Sequence, residues 1–189
     1  MGFAKKSVRD ADVEGRRVLV RVDFNVPLAD GEVADDTRIR AAMPTISHLL
    51  DRGGRVILAS HLGRPGGEVV ESLSMRPVAG RLSELLGAEV DLAPEVVGER
   101  AEAMSEALGS GEVLLLENTR FEAGETKNDP GLGRAFSRLA DVFVNDAFGT
   151  AHRAHASNVG VAEDLPSFAG ELLEKEVSNL TAVADDPAR

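Results

Sequence analysis

The chain contains no cysteine, no tryptophan and no tyrosine. Without cysteine it forms no disulfide and no thiolate metal site, which is compatible with a reducing cytoplasm, the expected location. Without Trp or Tyr, intrinsic fluorescence offers little as a binding probe. No apolar run approaches the ~18 residues of a membrane helix. The opening residues MGFAKKSVRD are charged and hold no apolar core of the signal-peptide kind. Positive charge is also scarce: 21 Lys and Arg against 32 Asp and Glu leave a formal net charge of −11. That balance argues against nucleic acid or an anionic membrane as the main partner. An acidic protein that binds an anion must do so with a local basic cluster. Several chemical devices are missing as well. There is no GxxxxGK[ST] phosphate loop and no GxGxxG after a strand. Ser60 is not in a GxSxG elbow, and no His, Asp or Glu spacing looks like a metal site. Nothing in the chain holds a nucleotide by a known device.

What is present is a regular alternation. At 189 residues and 43% hydrophobic content, the chain is long enough for one domain with a real core. Strand-like and helix-like stretches alternate, the pattern of a parallel α/β sheet. The organising stretch is RVLVRVDFNVP, Arg17–Pro27. Its apolar, β-branched half reads as a buried strand, and it then changes abruptly to Asp23-Phe24-Asn25. A loop spans Leu28 to Val33. Asp35 and Asp36 offer N-caps for a helix whose apolar positions run from Ile39 to Leu50. Pro44 inside that run predicts a break. Further strands are expected at Arg55–Ser60, Glu89–Leu92, Glu112–Leu116 and Asp141–Asn145, with a brief one at Val159–Ala162. Further helices are expected after Ser74, from Pro94, after Asp129-Pro130, and from Leu165 to the end. The last of these carries Leu172, Leu173, Val177 and Leu180 inward.

The strand ends carry the chemistry. The first supplies Asp23 and Asn25, with Arg38 at the start of the helix beyond. The second supplies His61 and Arg64 in a glycine-rich loop. The fourth supplies Arg120, and the fifth His152, Arg153 and His155. In a parallel sheet all these ends share one rim, where ligands bind. Several guanidinium groups facing one crevice repel one another unless an anion sits among them, and their forks fit phosphate and carboxylate. Taken singly, Asp23 and Asn25 serve equally well as turn residues. Each arginine alone reads as a solvated charge or an ion pair. Together they favour a pocket for a small, multiply charged anion, with Asp23 and Asn25 handling a hydroxyl.

Five segments resemble the phosphoglycerate kinase family: RVDFNVP (Arg21–Pro27), DDTRIRAAMPTI (Asp35–Ile46), SHLGRP (Ser60–Pro65), LLENTRF (Leu115–Phe121) and FVNDAFGTAHRAHAS (Phe143–Ser157). They lie in order and at the family's spacing, and the resemblance runs from about Lys6 to the end of the chain. It implies a three-layer Rossmann-like fold, a parallel sheet with helices on both faces. It implies that residues 1–170 form the N-terminal domain, which binds 3-phosphoglycerate. Residues 171–189 then begin the interdomain helix, and the nucleotide-binding C-terminal domain is absent. The reaction implied is phosphoryl transfer between 1,3-bisphosphoglycerate and ADP, giving 3-phosphoglycerate and ATP. Carried over by position, Asp23 and Asn25 bind the glycerate hydroxyl side, with Phe24 contributing backbone. His61, Arg64, Arg120 and Arg153 cradle the 3-phosphate, and Leu62 and Gly63 complete their loop. Arg38 is the catalytic residue, beside the C1 carboxylate. Mg²⁺ with ATP or ADP belongs to the missing domain, so no cofactor or metal is expected in this chain. The expected protein is a cytoplasmic monomer that binds substrate without turnover. The alternative is a non-catalytic anion-binding module or scaffold that pairs with a separate nucleotide-binding chain. Glu171 departs from the family pattern, where a less polar residue is usual, and that departure bears on the packing of the last helix.

Overall fold

The computed structural model describes residues 5–185, and its elements follow the hydrophobic pattern closely. In chain order they are β1 (Arg17–Arg21), β2 (Leu28–Ala29), β3 (Glu32–Val33), α1 (Thr37–Asp51), β4 (Arg55–Ala59), α2 (Arg76–Leu86), β5 (Val90–Leu92), α3 (Glu99–Ala107), β6 (Val113–Leu115), α4 (Pro130–Arg138), β7 (Val142–Asn145), β8 (Ser167–Ala169) and α5 (Glu171–Asp185). Six strands form one sheet in the order β5-β6-β4-β1-β7-β8. Every pairing in it is parallel.

The sheet is buried on both faces because its strands alternate between two cores. Val18 and Val20 of β1 join Val56 and Leu58 of β4 against Ile39, Ile46 and Leu49 of α1 and Val78 and Leu82 of α2. Leu19 and Ile57 point the other way, against Ala101 of α3 and Leu132 and Phe136 of α4. Each fully buried Leu, Ile or Phe contributes about 1.5–3 kcal/mol by leaving water. This is the expected three-layer α/β fold. The split also sets the site. The connections leaving β1 and β4 cover one face, whereas those leaving β6 and β7 cover the other. The sheet therefore has switch points between β4 and β6 and between β1 and β7. Ligand crevices form beyond the carboxyl ends of strands at such points.

Several expectations are corrected. Pro44 does not break α1, which runs unbroken through it. Pro44 lies on the exposed face, so the carbonyl that loses its amide partner there is left to solvent. Leu28–Val33 is not an open loop but the antiparallel hairpin β2-β3, turned by Asp30 and Gly31 with φ of 53° and 82°. The helix expected from Pro94 begins only at Glu99. The Glu95 carboxylate accepts the Arg100 and Ala101 amides (2.9 and 3.1 Å) and starts it there. Val159–Ala162 is no strand but part of a π-helical turn over Ala156–Gly160 and a 3₁₀ turn over Val161–Glu163. The sixth strand is instead β8, which delays the last helix to Glu171. Leu180 is not inward either; it is 58% exposed. The polar start of α5 is well anchored. Asp146 Oδ1 accepts the Leu172 and Leu173 amides (2.9 and 3.2 Å). Glu171 lies 3.4 Å from Arg9 Nε and 3.9 Å from His48 Nδ1, and its amide donates to Thr45 Oγ1 (2.8 Å). That explains how a charged residue fits where the family pattern is less polar.

Candidate functional site: a cationic cleft on the carboxyl rim

The end of β1 is tied to its neighbours by short polar residues. The Phe24 amide donates to Ser60 Oγ (2.8 Å), at the end of β4. The Phe24 ring itself is core, fully buried. Asn25 Oδ1 accepts the Gly63 amide (2.8 Å), so half of its amide group is already engaged in holding the His61–Arg64 loop. Asp23 Oδ2 pairs with Arg38 Nη1 at 2.6 Å. Arg38 stands in the first turn of α1 and is 53% exposed. Asp23 thus holds a half-exposed cation at the end of β1.

The loop after β4 is held from the other side by Asn118, just past β6. Its Oδ1 accepts the Leu62 amide (3.1 Å) and the Arg120 amide (3.1 Å). Its Nδ2 donates to the carbonyls of Leu62 (2.7 Å) and Leu73 (2.9 Å). Gly63 turns there with φ 61°, a left-handed conformation that favours glycine. The Gly63 carbonyl accepts from Arg120 Nη1 (2.6 Å), which fixes the direction of that guanidinium.

Arg64, Arg120 and Arg153 meet around one cleft of about 370 Å³, together with Lys127, Gly66, Gly67 and one carboxylate, Glu122. They come from the ends of β4, β6 and β7, as the rim argument requires. Arg120 has its pKa lowered by burial and by the charges of Arg153 and Arg64. The cluster is therefore electrostatically unfavourable when nothing anionic is bound. Below it lies His61, 4% exposed. Burial, with Arg21, Arg120, His155 and Arg38 adding like charge, pulls its pKa down to about 2. His61 is neutral at physiological pH. Its Nδ1 lies 3.3 Å from Arg21 Nη2 and serves as the acceptor, leaving Nε2–H as a donor. Unlike the arginines, His61 contributes a hydrogen bond and no charge. His152 accepts from Arg153 Nε (3.2 Å). A larger cavity, about 900 Å³, opens beside it on the same rim and shares Glu122 with it; Glu71, Glu95 and Glu117 outnumber its one cation, Arg76, which suits an anion poorly.

A sequence model of the phosphoglycerate kinase family matches residues 8–189. The chain belongs to the phosphoglycerate kinase family. Among solved structures it is similar to the phosphoglycerate kinase of Coxiella burnetii, 38% identical over 95% of this chain and 45% of that one, with a TM-score of 0.84. It is also similar to that of Pyrococcus horikoshii OT3, 36% identical over 97% of this chain and 47% of that one, with a TM-score of 0.89. The chain thus spans less than half the length of either solved relative.

In this member of the phosphoglycerate kinase family, four residues of the site escaped the sequence reading. Lys127 lines the cleft and was hidden in a polar loop. Asn118 is the clamp described above. Arg21, 1% exposed, is the largest fully buried side chain. It sits on the same strand face as Leu19, beside the small Ala59 with which it is in register. The signal was available, since a charge inside an apolar strand must find a buried partner. The nearest buried counter-charge, Glu125, is reached through Ser157 and not by a direct ion pair; it gave no local signal at all. Among the described residues no group of three or more His, Asp or Glu could hold a metal ion. No helix there is long and apolar enough to cross a membrane.

Proposed function

We propose that this chain is the 3-phosphoglycerate-binding half of a phosphoglycerate kinase. The observation that supports it is the meeting of Arg64, Arg120, Arg153 and Lys127 around one cleft on the carboxyl rim. The 3-phosphate takes the forks of Arg64, Arg120 and Arg153 and the Nε2–H of His61. Leu62 and Gly63 hold that loop in place. Asp23 and Asn25, with the Phe24 backbone, take the glycerate hydroxyl. The substrate carboxylate then lies toward Arg38. In the complete enzyme the carboxylate accepts or returns a phosphoryl group at that end. Arg38, paired with Asp23 at 2.6 Å and half exposed, swings onto the transferring group and offsets its charge. Phosphoryl transfer asks for such positioning and electrostatics more than for covalent help from the protein.

We assign ATP or ADP and its Mg²⁺ to a second domain, with residues 1–170 as the substrate domain and α5 leading toward the other. On this reading the 189-residue chain is a cytoplasmic monomer that binds 3-phosphoglycerate and turns over nothing alone. Calorimetric titration with 3-phosphoglycerate tests it. Wild type gives a saturable heat, and Arg153→Ala or Arg120→Ala weakens binding by roughly ten- to a hundredfold, the equivalent of one charged hydrogen-bonded contact. Equal or absent heat in all three sinks the substrate assignment. Kinase activity from the pure chain in a coupled assay sinks the claim of no turnover. A stable complex with a separate nucleotide-binding chain favours the paired-module reading.

A further inference from the structure

Beneath the cationic cleft runs a chain of buried polar contacts. Arg21 Nε donates to Ser157 Oγ (2.9 Å), and Ser157 Oγ donates in turn to Glu125 Oε1 (2.5 Å). The Ser157 amide donates to Glu125 Oε2 (2.9 Å). His155 Nδ1 lies 3.8 Å from Oε1. Arg21 completes its fork with the Val22 carbonyl and His61 Nδ1. Glu125, Ser157 and Arg21 are all buried, with Glu125 and Ser157 at 0% exposure.

The placement of this carboxylate is specific. Glu125 opens the tight turn whose next two residues, Thr126 and Lys127, line the cleft. Ser157 ends the segment that carries Arg153. Arg21 ends β1, and through His61 the chain reaches the end of β4. One buried carboxylate thus connects four segments that otherwise carry mutually repelling cations. A carboxylate near an anion site opposes anion binding by its charge, so its presence there needs a compensating purpose.

We propose that Glu125 is a positioning residue of the anion site, acting through Ser157 to hold Arg21 and the Arg153-bearing segment in the geometry that receives the ligand. The proposal rests on the reading of the cleft as the 3-phosphoglycerate site. It makes a prediction opposite in sign to simple electrostatics. Glu125→Gln removes a negative charge from under the site, which by itself tightens anion binding. If positioning dominates, binding weakens.

The test uses the 189-residue chain and 3-phosphoglycerate in calorimetry, at a temperature where melting curves show each variant folded. Glu125→Gln is expected to weaken binding at least about tenfold, as when a buried hydrogen bond to a charged group is lost. Ser157→Ala, which removes no charge, weakens it in the same direction, and Ser157→Thr, which keeps the hydroxyl, restores it. Should Glu125→Gln fail to fold, the Ser157 pair carries the test. Equal or tighter binding by folded Glu125→Gln, or unchanged binding by Ser157→Ala, overturns the proposal. Amide hydrogen exchange separates this outcome from failure of the substrate reading. If wild type binds no 3-phosphoglycerate, the positioning role still requires the Ser157 amide to exchange at least about tenfold faster in Glu125→Gln while the β1 amides hold. Unchanged exchange at Ser157 overturns it on that ground alone.

Discussion

The most direct consequence of the buried layer is a loss of stability in mild acid that one imidazole accounts for. In the folded chain the pKa of His61 is pulled down to about 2, against 6.5 unperturbed. The unfolded chain therefore takes up a proton as pH falls below 6.5, while the folded chain does not. Folding stability is lost over that interval, with a limiting slope of about 1.4 kcal/mol per pH unit. Between pH 7.5 and 5.0 the His61 contribution falls by about 2 kcal/mol, a substantial part of the ~5–15 kcal/mol that holds a typical domain together. His61→Gln keeps a neutral side chain with an acceptor for Arg21 and removes the titration. Urea unfolding followed by far-UV circular dichroism, suited to a chain without Trp or Tyr, gives the stability of both proteins at each pH. Subtracting one curve from the other cancels every other titrating group, His155 included. The expected difference grows steadily below pH 6.5 and reaches about 2 kcal/mol at pH 5.0. A difference that stays flat refutes the reasoning, because it means His61 accepts a proton as readily folded as unfolded. A His61 imidazole resonance, assigned by its loss in His61→Gln, that titrates near 6.5 in the folded chain makes the same point against it.

Two further outcomes follow from close contacts at the rim. Gly149→Ala places a Cβ 2.6 Å from Asp23 Oδ2, displacing the carboxylate that aims Arg38. Affinity for 3-phosphoglycerate is expected to fall roughly tenfold with the melting temperature nearly unchanged, and unaltered affinity in calorimetry removes Asp23 from the aiming role. Asp146 is fully buried, and burial, opposed by the Thr45 hydroxyl and the Leu173 and Leu172 amides, raises its pKa to about 6 from 3.8. The ionised form then costs up to about 3 kcal/mol above pH 6 and nothing below pH 4. Asp146→Asn, which still accepts both amides through Oδ1, is expected to melt higher than wild type at pH 8 and equally at pH 4. A lower melting temperature at pH 8 contradicts this.

Much of the architecture was legible because period-two and helical patterns report burial directly. Asp129-Pro130 marked the start of α4, and the Asp129 carboxylate indeed accepts the Leu132 amide (2.9 Å). Gly87 closes α2 in the left-handed conformation, φ 65°, that a glycine supplies at a helix end. The errors fell where local pattern and tertiary packing disagree. Val159–Ala162 has strand-like letters but coils against α4, and β8 is a three-residue edge strand of Ser, Phe and Ala that carries little β signal. Pro44 misled because a rule about helix interiors is weakened on a solvent-facing side.

The order of motifs along the chain, the parallel α/β alternation and the supply of cations at strand ends are properties of neighbouring residues, and the sequence alone determined them. Which cations share a cleft, that His61 is neutral, and that Arg21 and Glu125 form a buried layer were decided only by the tertiary structure. Ser157 lies 136 residues from Arg21 and 32 from Glu125. Desolvation and charge coupling depend on such distances in space, and no local pattern of letters encodes them.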